Sequence, residues 1–191
     1  MHKIVHAAAF TLILAGAGAA QAQQGVYAGL AVGTSKTSLT GSSGQRVEPD
    51  NDPIRLKGYA GYALSEHFAI EGGVAGATGK YRFDKAEFGA AADPQARMHA
   101  VYAALRGKVA VSESVDLFAK LGVAHNSFKL EGTGAGDVDL SAVKPMAGVG
   151  VAYRLTDKLA LTAEFEHYGR VREGKRSFAQ RSAQAGIQFG F

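Results

Sequence analysis

The chain has 191 residues, with 25 glycines, 4 prolines, no cysteine, no tryptophan and a formal charge of +4. That length suits one domain. The missing thiols exclude a disulfide framework, a thiolate metal site and a cysteine nucleophile, and so mild a basic balance specifies no nucleic-acid partner.

Met1, His2, Lys3 and His6 open the chain, residues 7–20 are apolar or small, and Ala20-Gln21-Ala22 follows. A charged start, an apolar run and an A-x-A site in that order predict a secretory signal peptide over residues 1–22, cut after Ala22. The remaining domain, residues 23–191, has no apolar stretch near the ~20 residues a membrane helix needs. If it enters a membrane it must do so as a closed barrel, because no other strand structure satisfies its backbone there.

Eight alternating segments follow, each with one apolar face and one polar or small face. In the first, residues 25–34, Val26, Ala28, Leu30 and Val32 oppose Tyr27, Gly29, Ala31 and Gly33. A long polar stretch, 35–53, leads to the second segment, 54–64, where Leu56, Ala60, Tyr62 and Leu64 oppose Arg55, Lys57 and Tyr59. Ser65-Glu66-His67 is a tight link to the third, 68–78, with Phe68, Ile70 and Val74 against Ala69, Glu71, Gly73 and Ala75. A second long stretch spans 79–96. The fourth segment, 98–111, sets Val101, Leu105, Val109 and Val111 against Tyr102, Arg106 and Lys108. Ser112-Glu113-Ser114 links it to the fifth, 115–128, with Leu117, Leu121 and Val123 against Phe118, Lys120 and Ala124. A third long stretch, 129–142, precedes the sixth segment, 143–155, whose apolar face is Val149, Val151, Tyr153 and Leu155. Thr156-Asp157-Lys158 is short. The seventh, 159–168, opposes Leu161, Ala163 and Phe165 to Thr162, Glu164 and Glu166. A fourth, basic stretch, 169–177, leads to the last segment, which ends on Ile187, Phe189 and Phe191 at alternate positions.

Segments of about ten residues, joined by long and short connections in alternation, are the layout of an eight-stranded outer-membrane barrel. The fold class expected is all-β: an eight-stranded antiparallel up-and-down transmembrane β-barrel. A soluble lipocalin-like barrel has the same strand count. There the apolar face would point inward and the charges outward. Periodicity alone does not decide between the two facings. The strand that runs to an aromatic terminus and the asymmetry of the loops favour the membrane version.

The residues Gly61-Tyr62-Ala63-Leu64-Ser65-Glu66-His67-Phe68-Ala69-Ile70-Glu71 resemble an element of the OmpA-type transmembrane domain and of the related opacity-family and OmpX-like barrels. Asp116 to Gly122, Gly148 to Tyr153 and Leu161 to Glu166 are similar to later strands of that family. The resemblance spans the whole domain in register, though each motif alone is weak. It implies a lumen ion-pair network, here Glu71, Arg106, Lys120 and Glu164. Ala152 and Thr162 stand where the family often has a lumen acid and a cation, so the network is expected to be rewired. The terminal Phe191 and Phe189 resemble the signal read by the barrel-assembly machinery. The resemblance places the protein in the outer membrane of a Gram-negative bacterium.

Other chemistry is sparse. The histidines have no metal-ligand spacing. Gly-Thr-Gly-Ala-Gly at 132–136 lacks the Lys-Ser/Thr of a phosphate loop. Glu164 and Glu166 share a face, but a glycosidase pair needs an open cleft; in a filled barrel they pair with Lys or Arg. His125 and Ser127 share the lipid-facing side and are similar to the His/Ser pair of lipid A deacylases, without an identifiable orienting carboxylate. Arg170, Arg172, Lys175 and Arg176 lie in the fourth long stretch, as contacts for anionic lipid or glycan. The expected role is structural and interactive, not enzymatic, and needs no cofactor. It covers envelope integrity, adhesion or lipopolysaccharide contact, with outer-membrane lipid, the assembly machinery and an unknown surface or host ligand as partners. A narrow gated ion channel is the first alternative and a lipid A deacylase the second.

Overall fold

The computed structural model describes residues 25–40, 46–47, 51, 53–82, 95–131, 138–173 and 176–191. The signal peptide assigned to residues 1–22, and Lys175, lie outside the described residues. Eight long strands form the wall: β1 (Val26–Thr40), β3 (Ile54–Ala63), β4 (Phe68–Ala77), β6 (Gln95–Ala110), β7 (Val115–Glu131), β8 (Val138–Arg154), β9 (Leu159–Glu173) and β10 (Arg176–Gly190). Two short ones, β2 (Arg46–Val47) and β5 (Tyr81–Arg82), extend it by pairing with β1 and β6. Each long strand is antiparallel to the next, and β10 pairs with β1 from Tyr27–Gly190 to Thr40–Ser177. The sheet therefore closes on itself, and closure removes the edges that could not survive in lipid.

The facing that periodicity left open is decided by burial. Leu30 and Leu121 are 66% and 69% exposed, while Arg55, Lys57, Lys120 and Glu166 are almost wholly buried. Aliphatic side chains cover the outside and charges line the inside, the reverse of a soluble barrel. All eight predicted strands exist with the predicted facing.

The three short links share one design. In each, the two residues before the turn donate their backbone N–H to one carbonyl: Leu64 and Ser65 to Phe68, Val111 and Ser112 to Val115, Leu155 and Thr156 to Leu159. The hydroxyl of Ser65, Ser112 or Thr156 then accepts a backbone N–H two residues on. This is the local hydrogen bond that makes Ser and Thr good turn residues, and it explains the repeated Ser/Thr-acid pattern.

All four long connections are shorter than expected: β1 runs to Thr40, and β6 begins at Gln95. Strand β7 runs to Glu131 and β8 begins at Val138; β9 runs to Glu173 and β10 begins at Arg176. The apolar alternation stops where the strands leave the lipid, but backbone pairing does not need it and continues. Arg170 and Arg172 are thus in β9 and Arg176 in β10, in register with Ala179, Ser177 and Glu173 respectively, so the expectation of a basic loop at 169–177 is corrected. Among the described residues, the β8–β9 ladder stops at Ala147–His167. Pro145 has no N–H to offer beyond that point. Gly169 also turns away with φ of 77°, where a Cβ would lie 2.6 Å from Lys144 Cβ.

A narrow barrel is filled by alternating large and small inward residues. Tyr27, Tyr59, Tyr102 and Phe118 each pair in register with a glycine: Gly61, Gly29, Gly73 and Gly150. Each ring lies over the glycine beside it. A Cβ on Gly61 would come 2.3 Å from Tyr27 Cζ, and one on Gly29 2.3 Å from Tyr59 Cζ. Gly61→Ala is therefore expected to cost ~1–3 kcal/mol through overpacking, read by urea unfolding in micelles. Gly58→Ala is the control, since its Cβ would meet only Leu30 Cδ2 at 3.6 Å. Equal midpoints for the two variants would refute the packing argument.

Candidate functional site

The site is a ladder of ion pairs across the lumen. Period-two alternation turns Tyr27, Lys57, Glu71, Tyr102, Arg106, Lys120, Glu164, Glu166 and Gln184 inward from seven different strands, and all are buried. Lys120 Nζ donates to Glu71 Oε1 and to Glu164 Oε2, both at 2.6 Å. Lys57 Nζ bridges Glu164 and Glu166, the latter at 2.7 Å. Arg106 Nη1 lies 3.5 Å from Glu71 Oε2 and donates to Gln188 Oε1 at 2.7 Å. The hydroxyls of Tyr27 and Tyr102 donate to the two oxygens of Glu71, at 3.0 and 2.7 Å. Gln184 Nε2 donates to Glu164 and Glu166, and the Tyr168 hydroxyl to Glu166 Oε2 at 2.6 Å.

The electrostatics explain the arrangement. Arg106 and Lys120 are direct cross-strand partners, and like charges in that position repel. Glu71 lies against both and offsets the repulsion. Glu164 and Glu166 likewise stand two apart on one face of β9, held together by the Lys57 ammonium between them. Buried charges persist only when paired and hydrogen-bonded, and here each carboxylate has at least three donors. Glu164 and Glu166 thus pair with lysine, as expected of two acids in a filled barrel.

The structure brings Glu71, Arg106, Lys120 and Glu164 together as expected. Sequence reasoning turned Lys57 inward without giving it a partner, and paired Glu166 with no particular cation. Strands β3 and β9 are separated by β1 and β10 in the sheet, so only closure of the barrel brings Lys57 to Glu164 and Glu166. The tyrosine hydroxyls on Glu71 and Glu166 were not anticipated either. Their signal is an aromatic with a polar tip on a charged face.

The remaining candidates are separate from the ladder. Asp116 pairs with Arg154 at 3.0 Å near the short links. Phe189 and Phe191 are 45% and 63% exposed at the β1–β10 seam, with the Phe191 N–H donating to Val26 O at 2.9 Å. His125 is exposed on the outer face of β7 and Ser127 lies on the same face. Among the described residues no carboxylate pairs with His125. Arg170 is exposed, and the side chains of Arg172 and Arg176 lie outside the described part.

Solved structures of the same shape are small outer-membrane barrels. Neisserial surface protein A shares 15% identity at a TM-score of 0.63, with 87% of this chain and 97% of that one covered. Ail of Yersinia pestis, in complex with the heparin analogue sucrose octasulfate, shares 16% at 0.54, covering 86% and 99%. OprG of Pseudomonas aeruginosa shares 9% at 0.58, covering 88% and 97%. At such identity the likeness shows the fold alone. No curated protein matches the sequence. The sequence itself matches the outer membrane protein beta-barrel domain over residues 5–191. With an apolar exterior, a closed sheet and that match, the chain belongs to the outer membrane β-barrel family, as the OmpA- and OmpX-like motifs implied, and resides in the outer membrane of a Gram-negative bacterium.

Proposed function

We propose that the protein is a surface-interaction barrel whose outer rim binds anionic groups, lipopolysaccharide phosphates first among them. The observation that carries this reading is a pair of cations in register. Lys36 and Arg181 are exposed direct partners across the β1–β10 seam, and like charges in that position are destabilising without an anion between them. A second such pair, Arg97 and Lys129, sits on β6 and β7, where Lys129 also reaches Asp139 at 3.3 Å. Exposed Arg170 adds to the first group.

The height suits a phosphate layer. Lys36 follows Val26 by ten residues, about 33 Å along a strand, or about 25 Å along the barrel axis at the usual tilt. That is the thickness of the apolar band. The cations stand at its outer edge. Ail, similar in fold, is described with a sulfated sugar, which supports an anionic surface ligand as a class.

Titration of the folded barrel in nonionic micelles with lipopolysaccharide tests the reading. Lys36→Gln with Arg181→Gln is expected to weaken binding about tenfold or more, since a hydrogen bond to a charged group contributes ~1.5–3 kcal/mol. Lipopolysaccharide stripped of phosphate should bind both proteins equally weakly. Unchanged affinity in the double variant would overturn it.

The ladder across the lumen supports a plug in preference to a pore. Eight strands leave an interior just wide enough for side chains.

A further inference from the structure

We propose that Arg55 holds a small inorganic anion, chloride under ordinary conditions, in the lumen on the outer side of the ion-pair ladder. Arg55 lies one inward position beyond Lys57 on β3 and is fully buried. Among the described residues, its Nε, Nη1 and Nη2 have no hydrogen-bond acceptor. The guanidinium carbon sits 4.7 Å from the centre of the Tyr168 ring. That contact draws the cation to the ring by its quadrupole. An unpaired buried charge of this kind is costly.

The charge count points the same way. Among the described residues, with the Asp116–Arg154 pair set aside, the buried inward cations are Arg55, Lys57, Arg106 and Lys120, and the buried inward acids are Glu71, Glu164 and Glu166. Lys57 takes Glu164 and Glu166, Lys120 takes Glu71 and Glu164, and Arg106 takes Glu71. One positive charge, that of Arg55, is left over.

A second unpartnered polar group lies on the same lumen face. The two register partners of Arg55 are Gly33 and Ala77, the smallest side chains available. Two residues beyond Gly33 on the same face is Ser35, paired in register with Ser182. The Ser182 hydroxyl also has no partner among the described residues. The Tyr81 hydroxyl reaches across to the Ser35 hydroxyl. Tyr81 is fully buried, and its strand β5 is tied down by Asn51, whose side chain bonds Lys80 O at 3.1 Å and the Arg82 N–H at 2.8 Å. Among the described residues no acid pairs with the guanidinium.

The test is anion-dependent unfolding of the folded barrel in nonionic micelles. Sodium chloride replaces sodium gluconate at constant ionic strength. A ligand that binds only the native state stabilises by mass action. Above the dissociation constant, each tenfold rise in chloride should lower the wild-type unfolding constant about tenfold. Arg55→Met should lose this response, and Arg55→Lys should keep part of it. A wild type that behaves alike in chloride and gluconate overturns the proposal; water or a loop carboxylate then serves the guanidinium. A response retained in Arg55→Met overturns it equally. Where Arg55→Met fails to fold, wild-type crystals grown in bromide decide: an anomalous peak at the Arg55 nitrogens supports the site, and none there sinks it.

Discussion

Glu71→Ala is expected to lower the free energy of unfolding by ~3–5 kcal/mol, the cost of removing one partner from a buried charge pair. Glu71 is the junction of the ladder: Lys120, Arg106, Tyr27 and Tyr102 all converge on it. Without it, Arg106 and Lys120 remain as register partners with nothing between them. Glu71→Gln keeps the volume and an acceptor, so it should cost less. Glu113→Ala is the control, because Glu113 is exposed in a short link and surface changes usually stay within about 0.5 kcal/mol. Urea unfolding of the three variants in one lipid system measures the difference. The same loss should loosen the plug, so single-channel recording should show more small-ion conductance in Glu71→Ala than in the wild type. Matched unfolding curves for Glu71→Ala and Glu113→Ala, with unchanged conductance, would mean that the ladder does not hold the lumen closed.

Leu121→Arg is expected to cost ~2–4 kcal/mol in a bilayer, the penalty for a cation on the lipid face near the midplane. Leu121 is 69% exposed and in register with Leu105 and Ala147. Its neighbours across both ladders are apolar. The effect should shrink in the same substitution nearer the rim: His125→Arg, two outward positions along β7, should cost less because the depth-dependent penalty falls toward the interface. Folding efficiency into vesicles of defined thickness reads both. Equal efficiency for Leu121→Arg and wild type would remove the lipid from that face.

Strand number, facing pairs and short links were legible because each rests on local chemistry. Alternation reports which residues share a face, and the Ser/Thr-acid triplets report tight turns through bonds within three residues. The upper ends of the strands were not legible. Above the lipid, the wall no longer needs an apolar side, so Ser35 to Thr40, Lys129 to Glu131, Val138 to Ala142 and Arg170 to Glu173 read as loop while their backbones pair as strand.

The sequence by itself determined that Glu71, Arg106, Lys120 and Glu164 share the lumen face, because period two is a property of each strand alone. Which way that face points, and who meets whom on it, belonged to the tertiary structure. Burial decided the direction, since both facings fit the same alternation. Closure decided the partners: Lys57 on β3 meets Glu164 and Glu166 on β9 across a lumen, not along a ladder. The like-charge pair Arg106–Lys120 follows from the tight turn at Ser112 to Ser114, which sets the β6–β7 register locally. The pair Lys36–Arg181 arises across the closing β1–β10 seam, between segments nearly a chain length apart, where no turn sets the register. The unpaired guanidinium of Arg55 is visible only when all eight strands are in place and every other buried charge among the described residues has been matched.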